Sequence, residues 1–458
     1  MENIKELIYE KSPHFVQNVI ISLFNILAYK KRYSKKYNQY LKNYKSTNGA
    51  SFTELKNIQK NKYNEFITFS IKNSAYYKKE LSHIKNPERI ENLKKLPIIN
   101  KESLRQNLTG FYTIKKSEGE VSKTGGTTGK SLEVLYTYDN IQERFAILDN
   151  FRSRFGYELG KKTAWFSGKK LLSSTDIKKN RFWKTDNFYN VRYYSTFHIH
   201  NDYLGYYLEN LLKFKPEYMV GFPSTMHEIA KYGQNNNIDF PSNIIKAIFP
   251  TAETVTENIR YVLESYFKTN LYNQYASSEG APFVFECKNK KLHLELQSGV
   301  FEVLDDADQP AIAGRLIVTS FTTYATPLIR YDIGDEIELS NKTCSCGNKN
   351  PLVEKILGRV SDYIYSEEIG KINLGNISNC LKGVIGIIKF QIQQSEKNKL
   401  LVLIEKDNTK YNNKNETIFL NNLRDRIGSK IEINLSYVME IPVEKSGKYR
   451  LVKNSIKL

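Results

Sequence analysis

The chain has 458 residues, which is long enough for more than one domain with a substantial core, so a binding peptide or a disulfide-stapled miniprotein is excluded. Hydrophobic residues make up 40% of the chain and charged residues 26%, a balance typical of a folded globular protein. The net charge of +19 favours phosphates, nucleic acid or anionic membranes as partners, but no nucleic-acid-binding module accompanies it, so nucleic acid is not expected as a ligand.

The N-terminal part, residues 1–95, has apolar side chains at helical spacing and is predicted to form a helical extension. Its apolar stretch at 15–29 is too short and too often interrupted by polar residues for a transmembrane helix. A basic cluster follows this stretch: Lys30, Lys31, Arg32, Lys35 and Lys36. Two interpretations remain open, a helix packed on its own domain and an amphipathic helix in peripheral contact with an anionic membrane.

The cellular location follows from the cysteine content and the first residues. Four cysteines in 458 residues argue against a protein built on disulfides. No cleavable signal with a small-residue cleavage site opens the sequence. The cytoplasm is therefore the expected location, with peripheral contact at the inner membrane face as the alternative that the basic cluster suggests.

The middle of the chain, between residues 120 and 340, alternates short β-rich runs with helical segments, as α/β sheets do. Strands are predicted in the runs at 163–168, 218–224, 247–253, 271–280 and 315–321. In such sheets ligands bind where strands end and loops begin. We therefore expect a site at the ends of these runs.

The last hundred residues form a separate unit in the sequence pattern. Strands are predicted at 390–394, at 400–406 and from 431, with a helix before the last of them. The fold class expected is α/β, with a large N-terminal domain of mixed sheets and helices over 1–357, which includes the helical extension. A small, mobile α+β domain over 358–458 follows, joined at the segment 357–364.

A glycine- and threonine-rich loop at 122–134, SKTGGTTGKSLEV, is the strongest single signal. Its backbone N–H groups can turn inward, and its hydroxyls and ammonium can bind phosphate oxygens. The residues predicted to hold a polyphosphate are Thr124, Gly125, Gly126, Thr127, Thr128, Gly129 and Lys130. A Walker loop would need glycine at position 124, so a P-loop NTPase is not predicted.

This loop resembles the phosphate loop of the adenylate-forming superfamily, and five further motifs similar to those of that superfamily follow in the same order. They are FPTAE at 249–253, YASSE at 275–279, RYDIGD at 330–335, GRVSD at 358–362 and SGKYR at 446–450. Within the phenylacetate-CoA ligase branch, the chain looks like the CapK-like proteins of capsule and surface-polysaccharide clusters. The segments at 12–33, 96–107 and 276–279 and the Gly-Gly of the loop carry this narrower resemblance, which spans nearly the whole chain.

The resemblance implies a nucleotide site. Ala252 and Glu253 would line its adenine side, and Tyr275 would pack near the adenine. Ser278 would meet phosphate and Glu279 would hold Mg²⁺. ATP and Mg²⁺ are thus the expected substrate and metal of the reaction.

The same resemblance assigns roles to four further residues, at the end of the large domain and in the small one. Asp335 would bond both ribose hydroxyls, and Arg359 would contact ribose or phosphate. Ser361 would be the pivot of the hinge, where the family has Asp or Lys. Lys448 would be the lysine that promotes adenylation, which makes Lys448 and Glu279 the expected catalytic residues.

A second set of residues points to a metal that takes no part in the reaction. Cys287, His293, Cys344 and Cys346 are three thiols and one imidazole in two pairs, a set that tetrahedral Zn²⁺ binds readily. Four protein ligands leave no open position, so the zinc would be structural and would brace both active-site loops. The alternative is reduced cysteines buried as small apolar residues, which is also the expectation for Cys380.

Three functions remain open at this point. The first is an enzyme that activates a small carboxylic acid as its acyl-adenylate and passes the acyl group to a saccharide or carrier in surface-polysaccharide biosynthesis. The second is a soluble CoA ligase of the phenylacetate type, with CoA as acceptor. The third is a basic, non-catalytic scaffold, against which the intact lysine, glutamate and ribose aspartate argue. Transfer to free CoA separates the first two, and ATP–pyrophosphate exchange separates both from the third.

Overall fold

The computed structural model describes residues 9–123, 133–169, 171–199, 201–359, 363–368, 370–373, 377–381, 384–443 and 449–456. Helices dominate its first part: α1 (His14–Arg32), α2 (Lys35–Ser46), α3 (Phe52–Asn73), α4 (Ala75–Glu80), α5 (Lys101–Gln106) and α6 (Leu108–Phe111), with 3₁₀ turns at Ile90–Lys95 and Lys116–Glu118. Ser51 and Glu54 form a capping box at the start of α3, and Asn100 caps α5. The helical character predicted for this part agrees with the structure over its described residues.

The chain then alternates strands and helices. The elements are β1 (Glu120–Lys123), β2 (Glu133–Tyr136), α7 (Tyr138–Ser153), β3 (Thr163–Ser167), α8 (Ser174–Lys178), β4 (Trp183–Asp186), β5 (Val191–Ser195), α9 (Asn201–Phe214), β6 (Tyr218–Gly221), α10 (Pro223–Asn235), β7 (Ala247–Pro250) and α11 (Glu257–Phe267). Among the described residues, five of these strands form a sheet in the order β4-β5-β3-β6-β7, parallel except for the edge strand β4. The strands predicted near 163, 218 and 247 are thereby confirmed as β3, β6 and β7.

Gly221 ends β6 because no side chain fits there. A Cβ atom at this position would lie 1.9 Å from the carbonyl oxygen of Phe166 in β3, and the backbone has a φ of +132°, which favours glycine. Because the backbones of β6 and β3 approach so closely here, β6 ends at Gly221 and the chain continues directly into α10. The start of α10 therefore lies beside the end of β7.

A second sheet is antiparallel throughout. Its strands are β8 (Gln274–Ala276), β9 (Phe283–Glu286), β10 (Leu292–Leu294), β11 (Gly299–Leu304), β12 (Ala313–Ser320), β13 (Tyr331–Ser340) and β14 (Leu352–Arg359). Over the described part of the chain their order is β11-β12-β13-β14-β10-β9-β8. Helix α7 packs between the two sheets, with Phe151 stacked on Phe285 at 4.4 Å between ring centroids and 5.8 Å from Phe249.

The C-terminal part has its own sheet and core. Its elements are β15 (Tyr363–Ser366), β16 (Gly370–Asn373), β17 (Ile387–Glu396), β18 (Lys399–Lys406), α12 (Asn413–Ile427), β19 (Glu432–Val438) and β20 (Val452–Asn454). In the described residues β19-β18-β17-β20 form one sheet, and β15 pairs with β16. The hydrophobic cluster under this sheet includes the buried Cys380, as expected for that thiol, and draws its buried members from Ile364 through Val452.

Candidate active site and metal centre

The turn that follows β8 is fixed by its backbone. Tyr136 donates its hydroxyl to the carbonyl oxygen of Ser278 at 2.6 Å, and Arg144 donates to the carbonyl oxygen of Ser277 at 2.8 Å. The Ser277 Oγ bridges the turn, because it donates to a Glu279 carboxylate oxygen at 2.7 Å and accepts from the Glu279 N–H at 2.9 Å. The turn is therefore rigid while the Ser278 side chain stays exposed and that of Glu279 half-buried.

Glycine at position 280 is part of the same construction. Its φ is +97°, and an added Cβ would lie 2.5 Å from the Thr323 side chain and 2.7 Å from the Ser320 hydroxyl. Its carbonyl oxygen accepts a hydrogen bond from Thr322 at 2.8 Å. The loop after β12 thus supports the turn from behind, and any larger residue at 280 would push Glu279 out of place.

The predicted adenine and ribose residues lie together. The hydroxyl of Tyr275, in β8, donates to a carboxylate oxygen of Asp335 in β13. Asp335 is also the direct cross-strand partner of Arg359, the last residue of β14. Tyr275, Asp335 and the backbone of Arg359 therefore meet at one end of the antiparallel sheet, although they are up to 84 positions apart in sequence.

Glu253 is held at the carboxyl end of β7. One carboxylate oxygen accepts from the backbone N–H of Ser224, in the first turn of α10, at 3.0 Å, and the other accepts from the backbone N–H of Tyr449 at 3.1 Å. Ala252, which precedes it, has a left-handed backbone with a φ of 68°. A carboxylate at a helix N-terminus is favourable, so Glu253 joins β7, α10 and the C-terminal part.

Further contacts join α10 to the C-terminal part. Lys231 donates to the carbonyl oxygen of Ile387 at 3.5 Å. Burial would raise the pKa of Glu228, but the positive charge of Lys389 and the hydrogen bond from His227 hold this pKa at about 2. The charge of Lys389, in β17, thus acts on the ionised Glu228, while Lys389 itself lies 3.9 Å from a carboxylate oxygen of Glu405.

Several predicted site residues lie outside the described residues. These are the phosphate-loop residues Thr124, Gly125, Gly126, Thr127, Thr128, Gly129 and Lys130, together with Ser361 and Lys448. Lys123 and Glu133, which flank the loop, are paired across β1 and β2. The roles assigned to the loop, the hinge and the lysine stay predictions.

The four predicted metal ligands are brought together. The ligand atoms of Cys287, His293, Cys344 and Cys346 all lie within 4.8 Å of one another. The Sγ atoms of Cys287 and Cys344 are 3.7 Å apart, and the Sγ of Cys346 is 3.4 Å from Nε2 of His293. Tetrahedral zinc with Zn–S bonds of about 2.3 Å separates two sulfur ligands by about 3.8 Å, so this cluster fits Zn²⁺.

The surroundings of His293 support the same conclusion. Its side chain is buried, and its Nδ1 lies 3.2 Å from the carbonyl oxygen of Asn350. A metal-binding histidine usually donates its second ring N–H to such an acceptor, which orients the ring and fixes the tautomer. Asn350 in turn donates to Glu295 at 3.1 Å, so the acceptor is itself held in place.

The expectation that a metal here braces both active-site loops stays a prediction. Cys287 directly follows β9, whereas Glu279 precedes that strand, and Cys344 follows β13, whereas Asp335 lies in the middle of that strand. The cluster joins the connection after β9 to the connection between β13 and β14.

Comparison with known proteins adds the family. The family model of the CapK C-terminal domain matches residues 364–455. Protein CapK of Staphylococcus aureus is 34% identical over 462 residues, which cover 98% of this chain and 99% of the relative. The chain belongs to the CapK family. The predicted membership is thus confirmed.

More distant relatives extend the comparison of this CapK-family chain. A phenylacetate-coenzyme A ligase of Thermus thermophilus is 22% identical over 338 residues, which cover 68% of this chain and 72% of the relative. A crystal structure of 2-hydroxyisobutyryl-CoA ligase in the postadenylation state has a TM-score of 0.71 at 16% identity and covers 89% of this chain and 91% of its own. The predicted α/β fold of the adenylate-forming ligases is therefore confirmed.

The sequence did not point to the residues that hold the turn. Tyr136 and Arg144 act through main-chain carbonyls of Ser277 and Ser278, and the Ser224 N–H that meets Glu253 is a backbone group. No sequence motif marks such contacts, since a backbone carbonyl accepts from any donor that the fold brings near. They are visible only once β2, α7 and β8 are packed together.

Proposed function

We propose that this CapK-family chain is an adenylate-forming ligase that activates a small carboxylic acid with ATP and Mg²⁺. The observation that carries the proposal is the meeting of Tyr275 and Asp335 at the end of one sheet. This arrangement offers an aromatic ring and a carboxylate to an adenosine from two neighbouring positions. The rigid turn through Glu279, which leads on from the same strand, offers a carboxylate toward phosphates.

The reaction joins two anions, so the protein must reduce their repulsion and align them. The substrate carboxylate attacks the α-phosphorus of ATP and pyrophosphate leaves. No general base is required, because a carboxylic acid is already ionised at neutral pH. Glu279 would hold Mg²⁺, which when bound neutralises phosphate charge, and carboxylate oxygens are ligands that this ion prefers. Lys448 and the amides of the loop at 124–130 would stabilise the charge that develops in the transition state.

We further propose the division into two domains, 1–357 and 358–458, with Ser361 as the pivot. The separate core beneath β17 and β18 supports this division. The Glu253 bond to Tyr449 and the Lys231 bond to Ile387 belong to one arrangement of the domains. Both contacts would break when the small domain swings to withdraw Lys448 and admit the acyl acceptor.

The acceptor that we propose is an amine or hydroxyl of a saccharide or of a carrier-linked intermediate in surface-polysaccharide biosynthesis. Full-length similarity to Protein CapK supports this choice over free CoA. The CoA ligases among the more distant relatives favour the alternative, a soluble acyl- or aryl-CoA ligase. A carrier-linked saccharide would be held at the cytoplasmic face of a membrane, which is where we propose that the enzyme acts.

ATP–pyrophosphate exchange tests the activity without knowledge of the acceptor. A panel of small aliphatic and aromatic acids, each supplied with ATP, Mg²⁺ and labelled pyrophosphate, should include at least one acid that supports exchange. Exchange with no acid of the panel would argue for a non-catalytic protein. Adding CoA to the active acid then separates the acceptors, since rapid thioester formation would favour the CoA ligase.

We also propose one structural zinc at the Cys287–His293–Cys344–Cys346 cluster. The distances between the ligand atoms and the orientation of His293 support it. Four protein ligands saturate a tetrahedral ion, so the metal would stabilise the sheet and take no part in acyl transfer. Elemental analysis of protein purified without chelator should find about one zinc per chain.

A further inference from the structure

Helix α1 is oriented against the usual rule for a surface helix. The residues that it buries against the protein include the polar Gln17 and Asn25. The large apolar side chains on its other side are exposed to solvent, by 70% for Phe15, 50% for Val19, 36% for Ile20, 57% for Leu23, 67% for Phe24 and 64% for Leu27. These six residues, which we call the outer face of α1, recur at helical spacing over three turns of one helix.

Specific hydrogen bonds hold the helix in this orientation. Asn25 donates to the buried carboxylate of Asp186 at 2.7 Å and to the hydroxyl of Tyr193 at 3.0 Å. The side chains of Asn18 and Ser22 accept from the backbone N–H groups of residues 185 and 187 at 3.0 and 3.1 Å. These N–H groups belong to the edge strand β4 and to the turn after it, so α1 satisfies the open edge of the five-stranded sheet.

The polar side of α1 is therefore required inside. Turning the helix to bury Leu23 and Phe24 would leave Asp186 and the edge N–H groups without these hydrogen-bond partners. The free-energy cost of leaving these polar groups unpaired exceeds that of leaving the two apolar side chains exposed. The fold explains why the polar side faces inward, but it gives no reason for the other side to be leucine and phenylalanine. Contiguous exposed apolar patches of this kind mark interaction surfaces.

Positive charge lies at both ends of the outer face. Lys30 and Lys31 are exposed in the last turn of α1, and Lys35 is exposed at the start of α2. At the N-terminal end, Phe15 lines an open cleft together with Lys179, Arg181 and Asp176, and Asp176 lies 3.8 Å from the guanidinium of Arg181. Three cations of the basic cluster also contact α7, since Lys36 pairs with Asp139, Arg32 lies over the ring of Phe145 and Lys31 lies over the ring of Tyr138.

We propose that the outer face of α1 lies on an anionic lipid surface, with its apolar side chains below the headgroups and the lysines at its ends against lipid phosphates. This is the arrangement of an interfacial helix, here with the protein docked on its polar side. A second copy of the chain fits less well, because both ends of the face are basic. Parallel or antiparallel pairing would then set cations against cations.

The contact is interfacial. Within the described ranges, the structure has no helix that is both long enough and apolar enough to span a bilayer. In the β4–β5 turn next to α1, Phe188 is 63% exposed, and its neighbour Tyr189 lies 4.1 Å from Tyr29 between ring centroids. This turn extends the apolar surface sideways from the helix, as a surface that rests on a membrane requires.

Sedimentation of the full chain with vesicles tests the proposal. We expect binding to vesicles of equal parts phosphatidylglycerol and phosphatidylcholine and at least tenfold weaker binding to phosphatidylcholine alone. The variant Leu23→Ser/Phe24→Ser/Leu27→Ser should lose binding at least tenfold, and Lys30→Gln/Lys31→Gln/Lys35→Gln should lose roughly 100-fold for the anionic vesicles, since each surface lysine contributes about fivefold. Tyr261→Ser, which removes an exposed aromatic ring on α11, is the matched control and should bind normally.

Circular dichroism and ATP–pyrophosphate exchange in the same variants separate this surface from the chemistry. Both should stay at wild-type level, because the substituted side chains are exposed. Absence of exchange in the wild-type chain as well as in the variants, with vesicle binding by the wild type intact, would overturn the proposed activity and leave this surface standing. The lipid proposal is overturned if the serine variant binds as the wild type does, or if the face instead forms a dimer that light scattering detects and the serine substitutions abolish.

Discussion

The proposed nucleotide site and the Cys/His cluster lie on the same antiparallel sheet, and they are built in opposite ways. At the site, Ser277 and Ser278 are held through their main chain, and the side chains of Ser278 and Glu279 are left partly open to solvent. In the cluster, the ligand atoms of four side chains all lie within 4.8 Å of one another. The difference shows how one sheet can carry a proposed reactive site and a stabilising cluster at separate places. The strands fix the position of both and keep their side chains apart.

The largest effect that we expect is loss of the metal. Cys344→Ser should lower the free energy of unfolding by about 4 kcal/mol or more, since structural zinc contributes binding energy directly to folding. Denaturant titration measures this loss, and exchange activity per folded molecule should be unchanged. Ser345→Ala, one position along the same turn, is the control. Equal stability of the two variants would show that no metal is held there.

Lys448→Ala should have the reverse effect, on the reaction and not on stability. Removal of one transition-state charge is expected to lower ATP–pyrophosphate exchange roughly 10²- to 10³-fold, with little change in stability or ATP binding. Lys410→Ala, at an exposed lysine of the same C-terminal part, serves as the control. Undiminished exchange in the Lys448 variant would refute its assignment.

Asp335→Ala should act on binding more than on rate. Loss of hydrogen bonds from the ribose hydroxyls to a charged acceptor is expected to weaken ATP binding by roughly 10- to 100-fold. Calorimetric titration with ATP measures the effect, and the zinc content should remain at one per chain. Unaltered affinity would remove Asp335 from the nucleotide site.

Tyr275→Phe is the smallest of these changes and the most specific. It removes only the hydroxyl that orients Asp335 and keeps the ring that would pack near adenine. We expect ATP affinity to fall about two- to tenfold, the usual range for one hydrogen bond. An effect as large as that of Asp335→Ala would mean that the hydroxyl binds the nucleotide itself.

A good part of the fold could be predicted from the sequence. The strands at β3, β6 and β7 and the C-terminal strands are signalled by apolar runs that end in turn residues, because such runs must be buried on a sheet. The four candidate metal ligands could also be identified from the sequence, since few other residue types bind zinc. Glu253 shows the limit: its motif suggests the nucleotide, yet both carboxylate oxygens accept from protein N–H groups of Ser224 and Tyr449.

By itself the sequence determined the order of the motifs, the four residues of the Cys/His cluster and the membership in the CapK family. These depend on which residue types occur and in what order, which folding does not alter. Only the tertiary structure decided that the four Cys and His side chains meet beyond the ends of β9 and β13 and that α1 turns its leucines and phenylalanines outward. Helical periodicity is the same whichever side faces in, and the orientation of α1 was set by the open edge of β4, whose N–H groups needed the polar side chains of the helix.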